Sequence, residues 1–354
     1  MAGDTYPTVK VAAVQAASVF LDREATVDKA CRLIEEAGGE GAQIIVFPEC
    51  FIAGFPYWYY FYIAHDPKID GFNVAMFKNS VEVPGPDVTR LGQAARRAGA
   101  YVVMGMNERP PNSYGTLYNT MLFLGPDGEI AGKRRKLVPT RTERLVHTGG
   151  DGSGLIVIDT PFGGLSGLMC GENTNYLAKF TLIARGEVIH AACWPAFCLD
   201  TQVHQKDWID IRTRSHAFEG KVWVISSAGV FSEQIKDVLE LDAAARARFR
   251  GDGGHSAVLN PNGQFVAGPL EQGEGIVYAD IDLNAVVAGR IFQDITGHYN
   301  RFDIFNLTVD QSERPPVTMK RGTAEPEPRS DTEQEKDPGL VLRKPDNPPG
   351  KGLT

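Results

Sequence analysis

Leu165-Ser166-Gly167-Leu168-Met169-Cys170-Gly171-Glu172-Asn173-Thr174-Asn175 is an apolar run that stops at a cysteine and a glycine. Helical spacing follows from Asn175 to Arg185, and a second apolar run, Val188 to Trp194, follows that. Strand, turn, helix and strand are the unit of an α/β sheet. A thiol at such a strand end would meet free backbone N–H groups and the positive end of the helix dipole. Both lower its pKa and stabilise an oxyanion formed beside it. Gly171 would let a ligand approach the backbone. A lone cysteine is equally a small core residue, so Cys170 needs company before it means chemistry.

Outward from this stretch the rhythm repeats. Strands are expected over Val9 to Gln15, Ile44 to Phe47, Tyr101 to Met106, Val222 to Ser226 and Ile276 to Ile281. Helices are expected over Glu24 to Ala37, Asp87 to Ala98, Asp207 to Glu219 and Leu283 to Phe292. Leu117 to Leu124 and Glu129 to Lys136 flank Gly-Pro-Asp-Gly as a hairpin, and Ser256 to Leu259 and Gln264 to Ala267 flank Asn-Pro-Asn-Gly as another. Leu155 to Asp159 and Leu165 to Met169 make a further strand pair. The pattern predicts mixed sheets covered by helices, in a folded domain over 1–310. From Gln311 to Thr354 the chain turns rich in Pro and charge and poor in aromatics, which reads as a solvated tail. A tail wrapping a neighbouring subunit is the functional alternative.

With 43% hydrophobic residues among 354, there is ample material for a buried core. A net charge of −8 argues against a dedicated binder of nucleic acid or of anionic membranes. Five cysteines make no disulfide framework, and a reducing, cytoplasmic compartment fits best. The N-terminus lacks a basic n-region and is not read as a signal peptide. Ile44 to Ala64 is nearly all apolar, yet only 15 residues without charge follow Glu49, short of the ~20 that span a bilayer.

Two more places could carry chemistry. Glu49 follows Ile-Ile-Val-Phe-Pro at a strand end, ahead of a long apolar and aromatic stretch. Desolvation there would raise its pKa toward the range of a general base; a Glu paired with a nearby cation is the bland alternative. Lys133-Arg134-Arg135-Lys136 lies on a hairpin strand, so Arg134 and Lys136 share one face and only one pair can point inward. Glu143 follows and could pair with Lys136 or with an arginine. Gly128, Gly132 and Lys133 have the wrong spacing for a phosphate loop. Cys193, Cys198 and the scattered histidines do not suggest structural zinc. His204 and Asp207 keep a Cys-His-Asp arrangement with Cys170 formally open.

The combination is what discriminates. Phe-Pro-Glu after a strand, Arg-Lys-Leu-Val-Pro-Thr after a hairpin, and Leu-Met-Cys-Gly-Glu-Asn before a helix occur in that order. From about Val9 to Asp310 the chain resembles the nitrilase superfamily of carbon–nitrogen hydrolases, and its Lys-Leu-x-Pro-Thr-x-x-Glu-Arg wording is similar to the nitrilase branch. The resemblance implies a four-layer αββα sandwich, with Glu49 as general base, Lys136 as the cation beside developing charge, Cys170 as nucleophile and Glu143 as an auxiliary glutamate. It implies hydrolysis of a nitrile to an acid and ammonia without metal or cofactor. An amidase or N-carbamoyl hydrolase on the same scaffold, or a non-enzymatic assembly protein, are the alternatives. Gly171 departs from the tryptophan usual in nitrilases. The expected pocket comprises Gly171, Phe55, Tyr57, Trp58, His147 and Trp194, suited to an aromatic or arylaliphatic nitrile. A homo-oligomer built from dimers, extending to a spiral or filament, is implied, with Asn175 to Arg185 as the pairing helix.

Overall fold

A computed structural model describes residues 4–197, 205–315 and 317. Residues 4–314 fall within one compact unit. Twelve strands form two six-stranded sheets. The first sheet takes β1 (Thr8–Gln15), β2 (Ile44–Val46), β3 (Tyr101–Glu108), β4 (Tyr118–Leu124), β5 (Ile130–Arg135) and β12 (Gly275–Asp282), in the order β12-β1-β2-β3-β4-β5. The second takes β6 (Ile158–Thr160), β7 (Gly163–Met169), β8 (Glu187–Trp194), β9 (Trp223–Ala228), β10 (Ser256–Leu259) and β11 (Phe265–Leu270), in the order β11-β10-β9-β8-β7-β6. Both sheets are mixed: β1, β2 and β3 run parallel, as do β7, β8 and β9, and antiparallel strands flank each trio.

Alternation along β1 shows how the layers are made. Val9, Val11 and Ala13 join the core between the sheets, with Met169, Ile189 and Ile225 of the second sheet. Ala12 and Val14 meet the residues of α1 (Arg23–Gly39) and α3 (Pro86–Ala98) in the outer core. On the far side, Leu168 packs on α4 (Tyr176–Ala184), and Trp194 and Val224 pack near α5 (Gln205–Gly220). A strand buried on both faces must be apolar throughout, which is why β1, β2 and β8 read as near-continuous hydrophobic runs. The result is the αββα sandwich expected from the sequence.

Several elements differ from expectation. The strand before β7 begins at Ile158, not Leu155, because Gly152–Gly154 forms a 3-10 turn. α2 (Pro67–Lys78) was not anticipated, although Asp66 caps it and proline opens it. The short α6 (Glu233–Val238) and α7 (Ala243–Arg246) were also unexpected, whereas α8 (Asn284–Phe292) falls where predicted. The apolar stretch after Ile44 is β2, a loop and a 3-10 turn over Tyr57–Tyr60. Among the described residues no helix is long and apolar enough to cross a membrane. Most of the segment read as a tail, together with Cys198 and His204, lies outside the described residues.

Candidate active site

Glu49 stands just past β2, on a loop that presses against β3. A side chain at Gly105 would meet the Pro48 carbonyl at 2.1 Å, so only glycine admits this approach. The loop then turns through Cys50, whose φ of 49° is left-handed. Lys136 is the first residue beyond β5, tied by its N–H to the Asn119 carbonyl at 2.8 Å. Glu143 lies in a 3-10 turn over Arg141–Leu145.

These three side chains meet in the interior, each no more than 2% exposed. Lys136 Nζ donates to Glu49 Oε1 and to Glu143 Oε2, both at 2.7 Å. Asn119 of β4 bridges the same carboxylates: Nδ2 donates to Glu49 Oε1 at 2.6 Å and to Glu143 Oε1 at 2.7 Å. Glu143 Oε2 also accepts from the Thr140 N–H at 2.8 Å. Glu49 Oε2 has no partner, leaving one lone-pair-bearing oxygen free to take a proton.

The two carboxylates share one cation yet differ in acidity. Burial pushes Glu49 up to about 7; Lys136 opposes the rise and Glu143 adds to it. Glu143, against the cost of its own burial, is held at about 2 by Lys136, His147 and Asn119. Lys136 is driven well above its ordinary value by both glutamates, despite desolvation. Environments that separate two like groups in this way are those that assign one as base and the other as fixed charge.

Cys170 follows β7 and has φ of 46°, so the turn carries backbone strain at the thiol. It lies within electrostatic reach of Glu49, Lys136 and Glu143. The expectation of a lowered pKa fails: burial, then Glu49, push the thiol up to about 12. The reason is local. Cys170–Thr174 is a 3-10 turn, and α4 begins only at Tyr176, too far on for a helix dipole that fades within a turn.

Arg134 and Lys136 are the inward pair of the basic run. Arg134 forms a bidentate buried ion pair with Glu172, both contacts at 2.8 Å. Glu172 also accepts from the N–H groups of Leu137 at 2.7 Å and Met169 at 3.0 Å. It therefore joins the segment beyond β5 to the turn bearing Cys170. On the outward face, Lys133 and Arg135 both reach Glu108. Sequence reasoning missed Asn119 and Glu172. The available signal for the first was a polar Tyr-Asn-Thr inside an apolar strand, and for the second an acid two residues past the cysteine.

The expected pocket residues divide. His147 contacts Glu143 through Nδ1 at 3.3 Å and Asn107 through Nε2 at 2.7 Å. Phe55 and Tyr57 line a small cavity together with Glu49. Gly171 faces Thr140, whose Oγ1 would lie 3.0 Å from an added Cβ. Trp58 stacks on Phe72 in the same buried cluster as Phe55 and Tyr57, and Trp194, which donates to Ser226 Oγ at 2.9 Å, belongs to the cluster against which Cys170 packs. A second cavity, of only about 10 Å³, is lined by Tyr57, Tyr60, Phe61, Phe197, Phe231 and Phe249.

Comparison with known proteins agrees with the geometry. The family described as carbon–nitrogen hydrolase matches residues 10–291. An arylacetonitrilase of Hypocrea virens is 38% identical over 325 residues, covering 88% of this chain and 95% of its own. An aliphatic nitrilase of Rhodococcus rhodochrous is 37% identical over 323 residues, covering 89% and 86%. The crystal structure of Saccharomyces cerevisiae Nit3, a member of branch 10 of the nitrilase superfamily, superposes with a TM-score of 0.64 at 23% identity, covering 83% of this chain and 97% of its own. Two facing mixed sheets, a buried Glu-Lys-Glu cluster beside a strained cysteine, and kinship over nearly the whole folded unit converge: the chain belongs to the carbon–nitrogen hydrolase family of the nitrilase superfamily and is an enzyme.

Proposed function

We propose that this enzyme is a nitrilase, converting an organic nitrile to its carboxylic acid and ammonia with Glu49, Lys136, Glu143 and Cys170 as its catalytic groups. The carrying observation is Lys136 held at 2.7 Å from both Glu49 and Glu143 beside a thiol that resists ionisation. A thiol pushed to about 12 is not a standing thiolate, so its proton must leave as attack occurs. Glu49, at about 7, has the acidity to receive it at neutral pH.

Cys170 Sγ attacks the nitrile carbon while its proton passes to Glu49, which hands that proton to the nitrogen as the thioimidate forms and is left free to act again. Lys136 and the Gly171 N–H stabilise the negative charge on that nitrogen. Water, losing a proton to Glu49, adds to give a tetrahedral intermediate. Ammonia departs and leaves a thioester, and a second water releases the acid and restores the thiol. Should the tetrahedral intermediate expel the thiol instead, the product is the amide. Glu143 stays charged throughout and fixes Lys136.

The named relatives act on arylacetonitriles and on aliphatic nitriles at nearly equal identity, so kinship does not choose the substrate. The aromatic wall of Tyr60, Phe61, Phe197, Phe231 and Phe249 favours an aromatic or arylaliphatic one. Self-association uses the outer helices, where Tyr176 and Leu177 of α4 and Ile211 and Phe218 of α5 are exposed apolar side chains. Free cysteines at four described positions suit a reducing cytoplasm.

The test is release of ammonia and acid from a panel of nitriles and their matching amides, with Cys170→Ala as control. Acid from nitriles, absent in the variant, is the expected result. Turnover of amides alone would move the enzyme to amide hydrolysis, and turnover of neither would remove the catalytic reading.

A further inference from the structure

Behind the cysteine turn lies a polar chain that takes no part in the proposed reaction. Glu187 and His190 of β8, Ser166 of β7, His216 of α5 and Asn173 of the cysteine turn are each at most 1% exposed. Asn173 Nδ2 donates to the Leu168 carbonyl at 3.2 Å and to the Cys170 carbonyl at 3.1 Å. Carbonyl oxygens only accept, so these contacts fix the amide orientation and direct Oδ1 toward His190.

His190 Nε2 lies 2.9 Å from Asn173 Oδ1 and must therefore carry a hydrogen. The other ring nitrogen, Nδ1, lies 2.6 Å from Glu187 Oε1. A lone pair facing a carboxylate at that distance would repel, so a proton sits between them. Ser166 Oγ donates to the same oxygen. His216 Nε2 lies 2.8 Å from Glu187 Oε2, and its own Nδ1 has no partner, as a neutral ring donating through Nε2 allows. Burial, then His216, pull His190 toward its neutral form and Glu187 pulls it back; the acceptor oxygens on either side of the ring fix a hydrogen on each nitrogen against that pull. Lys179 of α4 also bears on His190, and the carbonyl of Glu187 accepts from Arg290 of α8 at 2.5 Å.

We propose that Glu187, His190 and Asn173 form a positioning relay for Cys170, in which a proton locked between Glu187 and His190 aims the Asn173 amide at the carbonyls of Leu168 and Cys170. The relay holds the left-handed Cys170 backbone, and with it the direction of Sγ toward Glu49. A residue with φ of 46° and a side chain needs such over-determination. These are positioning residues, since none touches the reacting atoms. The inference rests on the reading of Cys170 as the nucleophile.

The experiment follows Cys170 directly, by measuring the rate constant for its alkylation by iodoacetamide against pH, with the modified peptide resolved by mass spectrometry. In the wild type the rate should rise as Glu49 ionises near pH 7. Asn173→Asp keeps the acceptor for His190 but loses the donor to Cys170. It and Asn173→Ala should flatten that rise and lower kcat by about 10–100-fold, the cost typical of lost outer-shell support. His216→Asn, which leaves Asn173 untouched, should keep the wild-type profile. NMR of 15N-histidine-labelled protein should show one imidazole with both nitrogens protonated, lost in His190→Gln. An unchanged alkylation profile in both Asn173 variants would overturn the relay. So would stoichiometric zinc or another divalent metal in the purified protein, because a metal would then occupy the place of the shared proton. If wild-type protein turns over no nitrile or amide, the functional reading fails while the alkylation profiles still judge the relay. If Cys170→Ala abolishes turnover and the Asn173 variants do not lower kcat, the relay fails alone.

Discussion

Arg134 and Glu172 form a two-pronged ion pair sealed from solvent, and it fastens the end of one sheet to the cysteine turn of the other. Breaking one side strands a buried charge. Glu172→Ala should cost about 3–5 kcal/mol of stability, the range for an uncompensated buried partner. Urea unfolding would show it as a lowered midpoint. The double replacement Arg134→Met with Glu172→Met should recover most of that stability but little activity, because the N–H groups of Leu137 and Met169 lose their acceptor. Full recovery of both would mean the pair serves stability alone.

Lys136 is the shared cation of two buried carboxylates. In Lys136→Met both glutamates should have pKa values above the ordinary carboxylate range, since burial then acts without the ammonium. Raised acids make the fold bind protons more tightly than the unfolded chain, so the variant should be most stable in acid and lose stability as pH rises. The wild type should share that fall between about pH 4.5 and 7 through Glu49, yet show the opposite trend below about pH 4.5, where Glu143 is protonated toward its value of about 2. Urea midpoints measured from about pH 2 to 8 in both proteins, on the order of seven points each, decide this. Parallel curves would count against the shared-cation account.

The pH–rate profile carries a second expectation. Glu49 must be unprotonated to accept the thiol proton, so kcat/KM should climb to a plateau across an acid limb near pH 7. The limb belongs to the whole Glu49, Glu143 and Lys136 cluster, not to one residue. Asn119→Leu removes a donor that favours the charged form of Glu49, and should move the limb to higher pH. A shift to lower pH would contradict the assigned base.

Gly171 tests how tightly the wall beside the thiol is closed. An added Cβ would press on Thr140 Oγ1 at 3.0 Å, and the Thr140 N–H also holds Glu143. Gly171→Ala should lower kcat/KM by about tenfold through displacement of that turn. Pairing it with Thr140→Ser, which removes the methyl and lets the hydroxyl swing away, should recover part of the loss. An unaffected single variant would show that the turn yields freely.

Much of this arrangement could be read from the chain alone, because strand periodicity is a strong constraint. Alternation within Lys133-Arg134-Arg135-Lys136 predicts one inward pair, and the structure identifies it as Arg134 and Lys136. The apolar stretch after Glu49 likewise predicts a carboxyl of weakened acidity. What escaped depends on contacts distant in sequence. Asn119 acts only because β4 lies between the strand of Glu49 and the turn of Glu143, and no local pattern reports that neighbour. The thiol was misjudged because a 3-10 turn intervenes before α4, and burial, then Glu49, push it up.

The basic strand β5 also guards its own alignment. Glu108 neutralises the outward Lys133 and Arg135, while Glu172, Glu49 and Glu143 neutralise the inward Arg134 and Lys136. Sliding β5 by a single residue against β4 would exchange the faces. Four positive side chains would still be present, but each would confront the wrong surface, and the buried acids would be left bare. Four like charges in a row would ordinarily make a permissive strand, since every residue resembles the next. Here the acids on either side act as a key with two bittings, so the hairpin can seat in only one register before the cysteine turn docks upon it.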